Sequence, residues 1–182
     1  MITFRKASFS DQMLLNAWFN KPHVTQFWDN SLEMNNNFAN YLNGVKKLYD
    51  YWMGFYDEKA FSLIITSDAQ EMDPEATEEN PFLPFIQFNE KGMTLDFMIG
   101  EEDFLGKGLA SKTLQLFTAF QNQVDVFFID PQISNAKAIH VYEKAGFISV
   151  GSYIPQKGYF STLDHVIMKK DVKSHSFREI NE

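Results

Sequence analysis

The chain has 182 residues, of which 16 are basic and 24 acidic, giving a formal net charge of −8. A hydrophobic fraction of 45% and 19 phenylalanines indicate a packed globular domain. The negative charge argues against a nucleic-acid partner, and the lack of cysteine excludes disulfides, thiolate metal sites and cysteine nucleophiles. The sequence has neither a secretory pattern at its start nor an apolar run approaching the roughly 18 residues that span a bilayer. We therefore expect a cytoplasmic protein with no membrane partner.

The first third of the chain is predicted to contain a strand, two helices and a hairpin. Residues 2–7 alternate as a strand does, and a helix then begins at Ser10 or Asp11. A second helix is expected to run through residues 38–48. Two β-rich runs around a short acidic turn predict a hairpin over residues 51–66.

An acidic segment separates this part from the rest. Residues 68–80 carry six carboxylates and no basic side chain, which predicts a solvated surface loop. The alternative is an acidic wall for a cationic substrate. Residues 81–88 are interpreted as an edge strand, since their two prolines are unsuited to a central one.

The second half is predicted to alternate strands and helices. The elements are, in order, a strand at 93–100, a helix at 107–122, a strand at 124–130, a helix at 135–145 and strands at 147–154 and 159–170. Gly146 is expected to end the second of these helices in the left-handed conformation. This order predicts an α/β fold with a mixed sheet in a single domain, followed by a frayed tail at 173–182.

The stretch FLGKGLASK, residues 104–112, places two glycines at a predicted helix start. Unpaired N–H groups at a helix N-terminus attract anions, and glycine lets a phosphate approach the backbone. The triphosphate-loop pattern is absent because Gly108, not Ser or Thr, follows Lys107, and the third glycine of the dinucleotide pattern is also missing. The turn on its own is therefore either a plain helix start or a diphosphate site.

Two motifs together resemble a known family. LDFMIGEEDFLGKGLASK, followed by DPQISNAKAIHVYEKAGF at 130–147, is similar to the GNAT acyltransferase superfamily. The likeness is greatest to its aminoglycoside 6′-N-acetyltransferase and siderophore-type branches, and WFNKPHVTQFWD at 18–29 resembles their acceptor-side region. The resemblance implies a GNAT fold over residues 1–172, with a mixed, mostly antiparallel sheet flanked by helices. It also implies acetyl-CoA as the co-substrate.

The resemblance assigns the glycine turn to the CoA pyrophosphate. It implies a cofactor-binding set of Leu105, Gly106, Lys107, Gly108, Leu109 and Ala110, joined by Met98, Ile99, Ser111 and Asn135. Leu105 departs from the Arg or Gln that the family has there. Asn135 is equally explained as a helix cap.

The resemblance also implies catalytic and acceptor-binding roles. Asp96 would be the general base or amine anchor and Tyr142 the general acid for the CoA thiolate. Independently of the resemblance, Asp130 is a candidate second acidic anchor because it ends a predicted strand, where ligand sites of α/β sheets commonly lie, and Trp28, with Trp18 and Phe27, is a candidate wall of the acceptor pocket. Each residue also has an explanation without a functional role. Asp96 would then be an exposed strand aspartate and Tyr142 a tyrosine that packs on the sheet, while Asp130 would belong to an Asp-Pro turn and Trp28 to the core.

These expectations combine into an acetyl-CoA-dependent N-acetyltransferase that uses direct transfer in a ternary complex, because no cysteine is available for an acyl-enzyme. The expected acceptor is a primary amine of a small, polycationic molecule. Acylation of a siderophore-type lysine, acetylation of a protein N-terminus and a non-catalytic CoA sensor remain open. Histidine spacing predicts no metal site, and the protein is expected to be a monomer or a homodimer.

Overall fold

The computed structural model describes residues 1–45, 48–71 and 79–172. Its strands are β1 (Ile2–Lys6), β2 (Asp50–Tyr56), β3 (Lys59–Asp68), β4 (Gly92–Ile99), β5 (Val126–Ile129), β6 (Ile148–Tyr153) and β7 (His165–Asp171). Its α-helices are α1 (Gln12–Phe19), α2 (Pro22–Thr25), α3 (Leu32–Leu42), α4 (Leu109–Phe120) and α5 (Ala136–Lys144). None of the helices in these ranges is both long and apolar enough to cross a bilayer.

The seven strands form one sheet in the order β1-β2-β3-β4-β5-β7-β6. Every neighbouring pair is antiparallel except β4 and β5, which are parallel. A parallel pair needs a crossover connection, and α4 supplies it between β4 and β5. The predicted single-domain α/β fold, with a mixed and mostly antiparallel sheet flanked by helices, is confirmed.

Helices cover both faces of the central strands, so β4 contributes side chains to two separate cores. Met98 packs in a cluster with Trp18, Phe38 and Tyr51 on the side of α1 and α3. Leu95 packs in a second cluster on the side of α4 and α5; its largest members are Phe117, Phe127, Tyr142 and Phe147. Alternation along β4 therefore directs successive side chains to different helical layers.

The parallel pairing of β4 and β5 is short, and this creates the gap on which the site depends. The pairing ends at Thr94 opposite Phe128. Beyond this point β4 continues to pair with β3 as far as Ile99, whereas β5 follows β7. The two central strands consequently separate at their carboxyl ends, where ligands commonly bind in α/β sheets.

The end of β4 is fixed by a close contact with α1. A side chain at Gly100 would meet the Trp18 ring at 2.0 Å, so only glycine allows this approach. The Trp18 indole donates a hydrogen bond to Glu101 at 2.7 Å, and Lys21 forms an ion pair with the same carboxylate at 2.8 Å. These contacts hold one side of the gap in place.

Most predicted elements are present, but residues 81–88 are not a strand. They form turns and a short 3₁₀ helix at Leu83–Phe85. Asn80 organises the segment, since its side chain accepts a hydrogen bond from the Phe82 N–H and donates one to the Ala69 carbonyl. Because Pro81 and Pro84 have no N–H to donate to a sheet, local turns are favoured over an edge strand.

Two predicted boundaries are also wrong. The helix expected over 38–48 ends at Leu42, where Gly44 takes a left-handed φ of 78° and its N–H bonds back to Tyr41. The last strand begins at His165, not at residue 159, because Thr162 has a φ of 70° and its N–H bonds to the Pro155 carbonyl. Left-handed residues interrupt both patterns.

The predicted ends of the remaining helices are close to those observed. Gly146 ends α5 with a φ of 96°, as expected. Asp11, one of the two residues predicted to begin the first helix, is the N-cap of α1, and Ser8 forms a capping box with it across the preceding 3₁₀ turn at Phe9–Asp11. Most of the acidic segment and the whole tail, at 72–78 and 173–182, lie outside the described residues.

Candidate active site

A cavity of about 710 Å³ lies at the separation of β4 and β5. It is lined from four directions: the α2 segment, the second half of β4, the glycine turn before α4, and the segment from the end of β5 through α5. His165 at the start of β7 and Phe160 before it complete the wall. The sequence motifs, far apart in the chain, therefore meet at one place.

Asp96 and Asp130 stand at equivalent positions on the two sides of this gap. Each lies two residues beyond the last paired residues, Thr94 and Phe128, and therefore on the same face of the sheet as that pair. Both carboxylates line the cavity. Asp29, directly after Trp28, is near enough to add its charge to theirs. The result is a concentration of negative charge suited to a cationic group.

The environment of Asp96 disfavours its ionised form. The exposed part of its side chain faces the cavity, so the carboxylate is surrounded by protein on the other sides. Loss of hydration, together with the charges of Asp130 and Asp29, raises the pKa of Asp96 from 3.8 to about 7, against a smaller opposing effect of His165. A carboxyl with a pKa near neutrality can accept and release a proton under ordinary conditions.

Tyr142 faces the same carboxylates from α5. Asn135 begins this helix, since its side chain accepts a hydrogen bond from the Ala138 N–H at 3.1 Å. Tyr142 lies two turns further on, buried between the sheet and the cavity. Burial and the charges of Asp96 and Asp130 raise the pKa of Tyr142 above its usual value of 10. The phenol is therefore protonated at neutral pH and can donate a proton or a hydrogen bond.

The glycine turn presents open backbone at the N-terminus of α4. Gly106 and Gly108 both have a φ of 71°, and no atom lies within 4 Å of where a side chain would stand on either. Gly108 caps the helix, so the first N–H groups of α4 have no partner within it. This arrangement can hold a phosphate group.

Nearly all the residues predicted for the cofactor lie along the cavity. Those that line it are Met98, Ile99, Leu105, Gly106, Gly108, Leu109, Ala110, Ser111 and Asn135. Lys107 does not line it; its ammonium group lies 6.0 Å from the centre of the Phe104 ring. Asn135 lines the cavity and caps a helix at once, so the two interpretations of this residue are compatible.

Trp28 lies in the cavity wall beside the carboxylates. It is buried and stacks on Phe19, with ring centroids 6.3 Å apart. Its indole N–H has no hydrogen-bond partner among the described residues. Core packing and contact with a ligand are therefore both available to this side chain.

Three polar residues that were not predicted for the site act on its two carboxylates. The Tyr153 hydroxyl donates to Asp130 Oδ2 at 2.5 Å, and His165 Nδ1 lies 3.6 Å from the same oxygen. Asp29 is the third. Tyr153 and His165 belong to strands with no recognisable motif, whereas the acidic Asp29 next to the aromatic pair at 27–28 was visible in the sequence. Over the described ranges no three metal-ligating side chains cluster together.

Comparison with known proteins agrees with this geometry. The sequence profile of the acetyltransferase (GNAT) domain matches residues 9–153. The chain belongs to the GNAT acetyltransferase family. The predicted family and the predicted enzyme class, an acyl-CoA-dependent N-acyltransferase, are thereby confirmed. None of the curated proteins is significantly similar in sequence.

Solved structures of aminoglycoside acetyltransferases share the fold. The aminoglycoside N(6′)-acetyltransferase from Legionella pneumophila is 28% identical, with a TM-score of 0.75 over 93% of this chain and 91% of that one. AAC(6′)-Ib in complex with paromomycin and acetyl-CoA is 22% identical, with a TM-score of 0.73 over 93% of each chain. The same enzyme with coenzyme A and kanamycin is 21% identical, with a TM-score of 0.73 over 94% and 95%.

Proposed function

We propose that this protein transfers the acetyl group of acetyl-CoA to a primary amine of a small polycationic acceptor, such as an aminoglycoside. The observation that carries the proposal is the placement of Asp96 and Asp130 on opposite sides of one gap, with Tyr142 in the same cavity. One structural relative, AAC(6′)-Ib, was solved in two complexes that each hold an aminoglycoside together with acetyl-CoA or coenzyme A, which supports both ligand classes.

The open turn at Gly106 and Gly108 fits the pyrophosphate of acetyl-CoA. Backbone N–H groups and the α4 dipole would bind the negative charge, which explains how the turn can function with Leu105 in place of a cationic or amide side chain. The acyl arm would then extend between β4 and β5 towards Asp96.

The three carboxylates would attract the acceptor amine as its ammonium ion. An amine with a pKa near 10 is mostly protonated at pH 7, a handicap of about 4 kcal/mol for a nucleophile. Asp96, with its pKa of about 7, would accept this proton and release the neutral amine beside the thioester.

Transfer of the acetyl group is accompanied by proton transfers that involve Asp96 and Tyr142. The amine nitrogen attacks the thioester carbonyl carbon, the carbon–sulfur bond breaks, and the thiolate receives the phenolic proton of Tyr142. The products are an amide and free CoA. The attacking nitrogen loses its second proton, which passes directly or through water to the Tyr142 phenolate, and Asp96 releases its own proton to solvent, which restores the starting state.

A panel of amines incubated with acetyl-CoA, with free thiol as the readout, tests the proposal. The panel contains kanamycin, ribostamycin, spermidine, lysine and a short peptide with a free N-terminus. We expect thiol release that depends on an amine and is fastest with the polycationic members, with mass spectrometry showing one added acetyl group. Acetylation of the peptide alone would indicate an N-terminal acetyltransferase. Binding of acetyl-CoA without any acetylation would favour a sensor.

A further inference from the structure

His165, at the start of β7, is in direct contact with Asp130. Its Nδ1 donates a hydrogen bond to the Asp130 main-chain oxygen at 2.6 Å and lies 3.6 Å from the carboxylate oxygen Oδ2. Its side chain is only 7% exposed. The Tyr153 hydroxyl approaches the same Oδ2 from β6 at 2.5 Å. An imidazole and a phenol therefore hold the carboxylate that faces Asp96 across the gap.

The second imidazole nitrogen gives His165 two distinct charge states. Nε2 is buried and has no hydrogen-bond partner in the part of the chain that the structure describes. With the proton on Nδ1, a neutral His165 leaves Nε2 as an unprotonated lone pair. A second proton would bind to Nε2. It would give the imidazole an N–H that has no acceptor and a positive charge beside Asp130. Protonation therefore changes the electrostatics of the cavity without requiring any movement.

The surroundings of His165 favour its protonated form. Burial lowers the pKa of His165, but its contacts with Asp130 and the charge of Asp96 outweigh burial, so that the pKa is raised above 6.5. The groups that face the imidazole are Asp130 from the end of β5, Tyr153 from β6, Asp96 from β4 and the uncharged ring of Phe160.

We propose that His165 is a positioning residue that sets the affinity of the cavity for cationic acceptors by holding Asp130 and by carrying or losing a positive charge beside it. This inference rests on the proposed function. A neutral imidazole leaves the full negative charge of Asp130 available to an ammonium group. A protonated imidazole neutralises that charge and repels the cation, so acceptor affinity falls as the pH falls.

His165→Asn tests the charge separately from the geometry. The Asn amide can keep the donor that Nδ1 supplies to the Asp130 carbonyl, but it cannot be protonated. Tyr153→Phe is the matched control, because it removes the other contact to Asp130 Oδ2 and keeps the imidazole. The measurement is KM for kanamycin at pH 6 and pH 8, with saturating acetyl-CoA.

We expect the wild-type KM to rise from pH 8 to pH 6 by about tenfold more than that of His165→Asn, the effect of one charge at short range. Titration of the free amine acts on both proteins and cancels in the comparison, whereas the electrostatic coupling of Asp96 to His165 is part of the difference that is measured. Tyr153→Phe should keep the wild-type pH dependence. An equal pH dependence in wild type and His165→Asn would overturn the inference.

Nitrogen-15 NMR of the four histidines tests the same coupling without an acceptor. The His165 signal is assigned as the one missing from His165→Asn. Asp130→Asn should lower the His165 pKa, and an unchanged pKa would overturn the inference. If the wild-type enzyme acetylates no amine, the proposed function fails, whereas the NMR titration still decides whether His165 and Asp130 are coupled.

Discussion

Replacement of Asp96 by Asn should make the protein more stable and less active. The substitution keeps the shape of the side chain and removes its charge. In the wild-type protein, burial and neighbouring carboxylates raise the pKa of Asp96 from 3.8 to about 7. Each pKa unit corresponds to 1.36 kcal/mol, so the shift equals about 4 kcal/mol in a dry site. Because the carboxylate is open to water in the cavity, we expect about half of this, roughly 2 kcal/mol.

The stabilisation should depend on pH in a defined direction. Since the folded-state pKa lies above the unfolded value, the folded protein binds more protons between the two values, and wild-type stability falls as the pH rises from about 4 to about 7. Asp96→Asn removes this loss. Urea unfolding should therefore show a larger stabilisation at pH 8 than at pH 5.

Activity should change in the opposite sense. Loss of a charge-assisted hydrogen bond to the acceptor amine costs about 1.5–3 kcal/mol, so kcat/KM for a cationic acceptor should fall roughly 10–150-fold. Acetyl-CoA affinity, measured by calorimetry, should not change. The matched control is Asp68→Asn, which removes an equal charge at the exposed end of β3 and keeps an acceptor for the Gln70 N–H.

Both the activity and the stability of Asp96→Asn can contradict the role of Asp96. Normal turnover by Asp96→Asn would move the general base to Asp130 or to a water. A stability that is unchanged at pH 8, relative to wild type, would mean that the cavity is too well hydrated to perturb Asp96. A control that loses activity equally would show a general effect of net charge.

Two further substitutions test the remaining parts of the site. Tyr142→Phe keeps the buried ring, so the free energy of unfolding should change little. Where chemistry limits the rate, kcat should fall about 10²–10⁴-fold. The control Tyr159→Phe, on an exposed segment, should leave kcat unchanged. Gly108→Ala should weaken acetyl-CoA binding by about tenfold in calorimetry, whereas Gly44→Ala, with the same left-handed backbone and open space, should cost similar stability and no affinity. Equal affinities in the two glycine variants would remove the phosphate role of the turn.

The sequence predicted the fold and the family well where local patterns and long-range contacts agree. The continuous apolar run at β5 predicts a strand buried on both faces, and this strand is buried along its whole length. Gly146 ends α5 because glycine readily adopts the left-handed conformation. The strand predicted over 81–88 failed because the side-chain bonds of Asn80 stabilise turns, and no periodicity reveals such bonds. The early end of α3 was readable from Asn43 and Gly44, a common helix stop.

The site was only partly predictable for a similar reason. Asp96, Asp130 and Tyr142 belong to motifs, and the structure brings them to one cavity, although their roles stay predictions. Tyr153 and His165 reach Asp130 through the pairing of β5, β6 and β7, which is not a local property of any segment. Their contribution requires the three-dimensional arrangement of the strands.

A crystal structure of the protein with CoA is the most direct test of the central claim, that the gap between β4 and β5 is the place of acetyl transfer. We expect the pyrophosphate to lie on the N–H groups at 106–110 and the thiol sulfur to lie within hydrogen-bond reach of the Tyr142 hydroxyl, facing Asp96. A CoA molecule bound outside this gap, or bound within it with its sulfur remote from both Tyr142 and Asp96, would contradict the account.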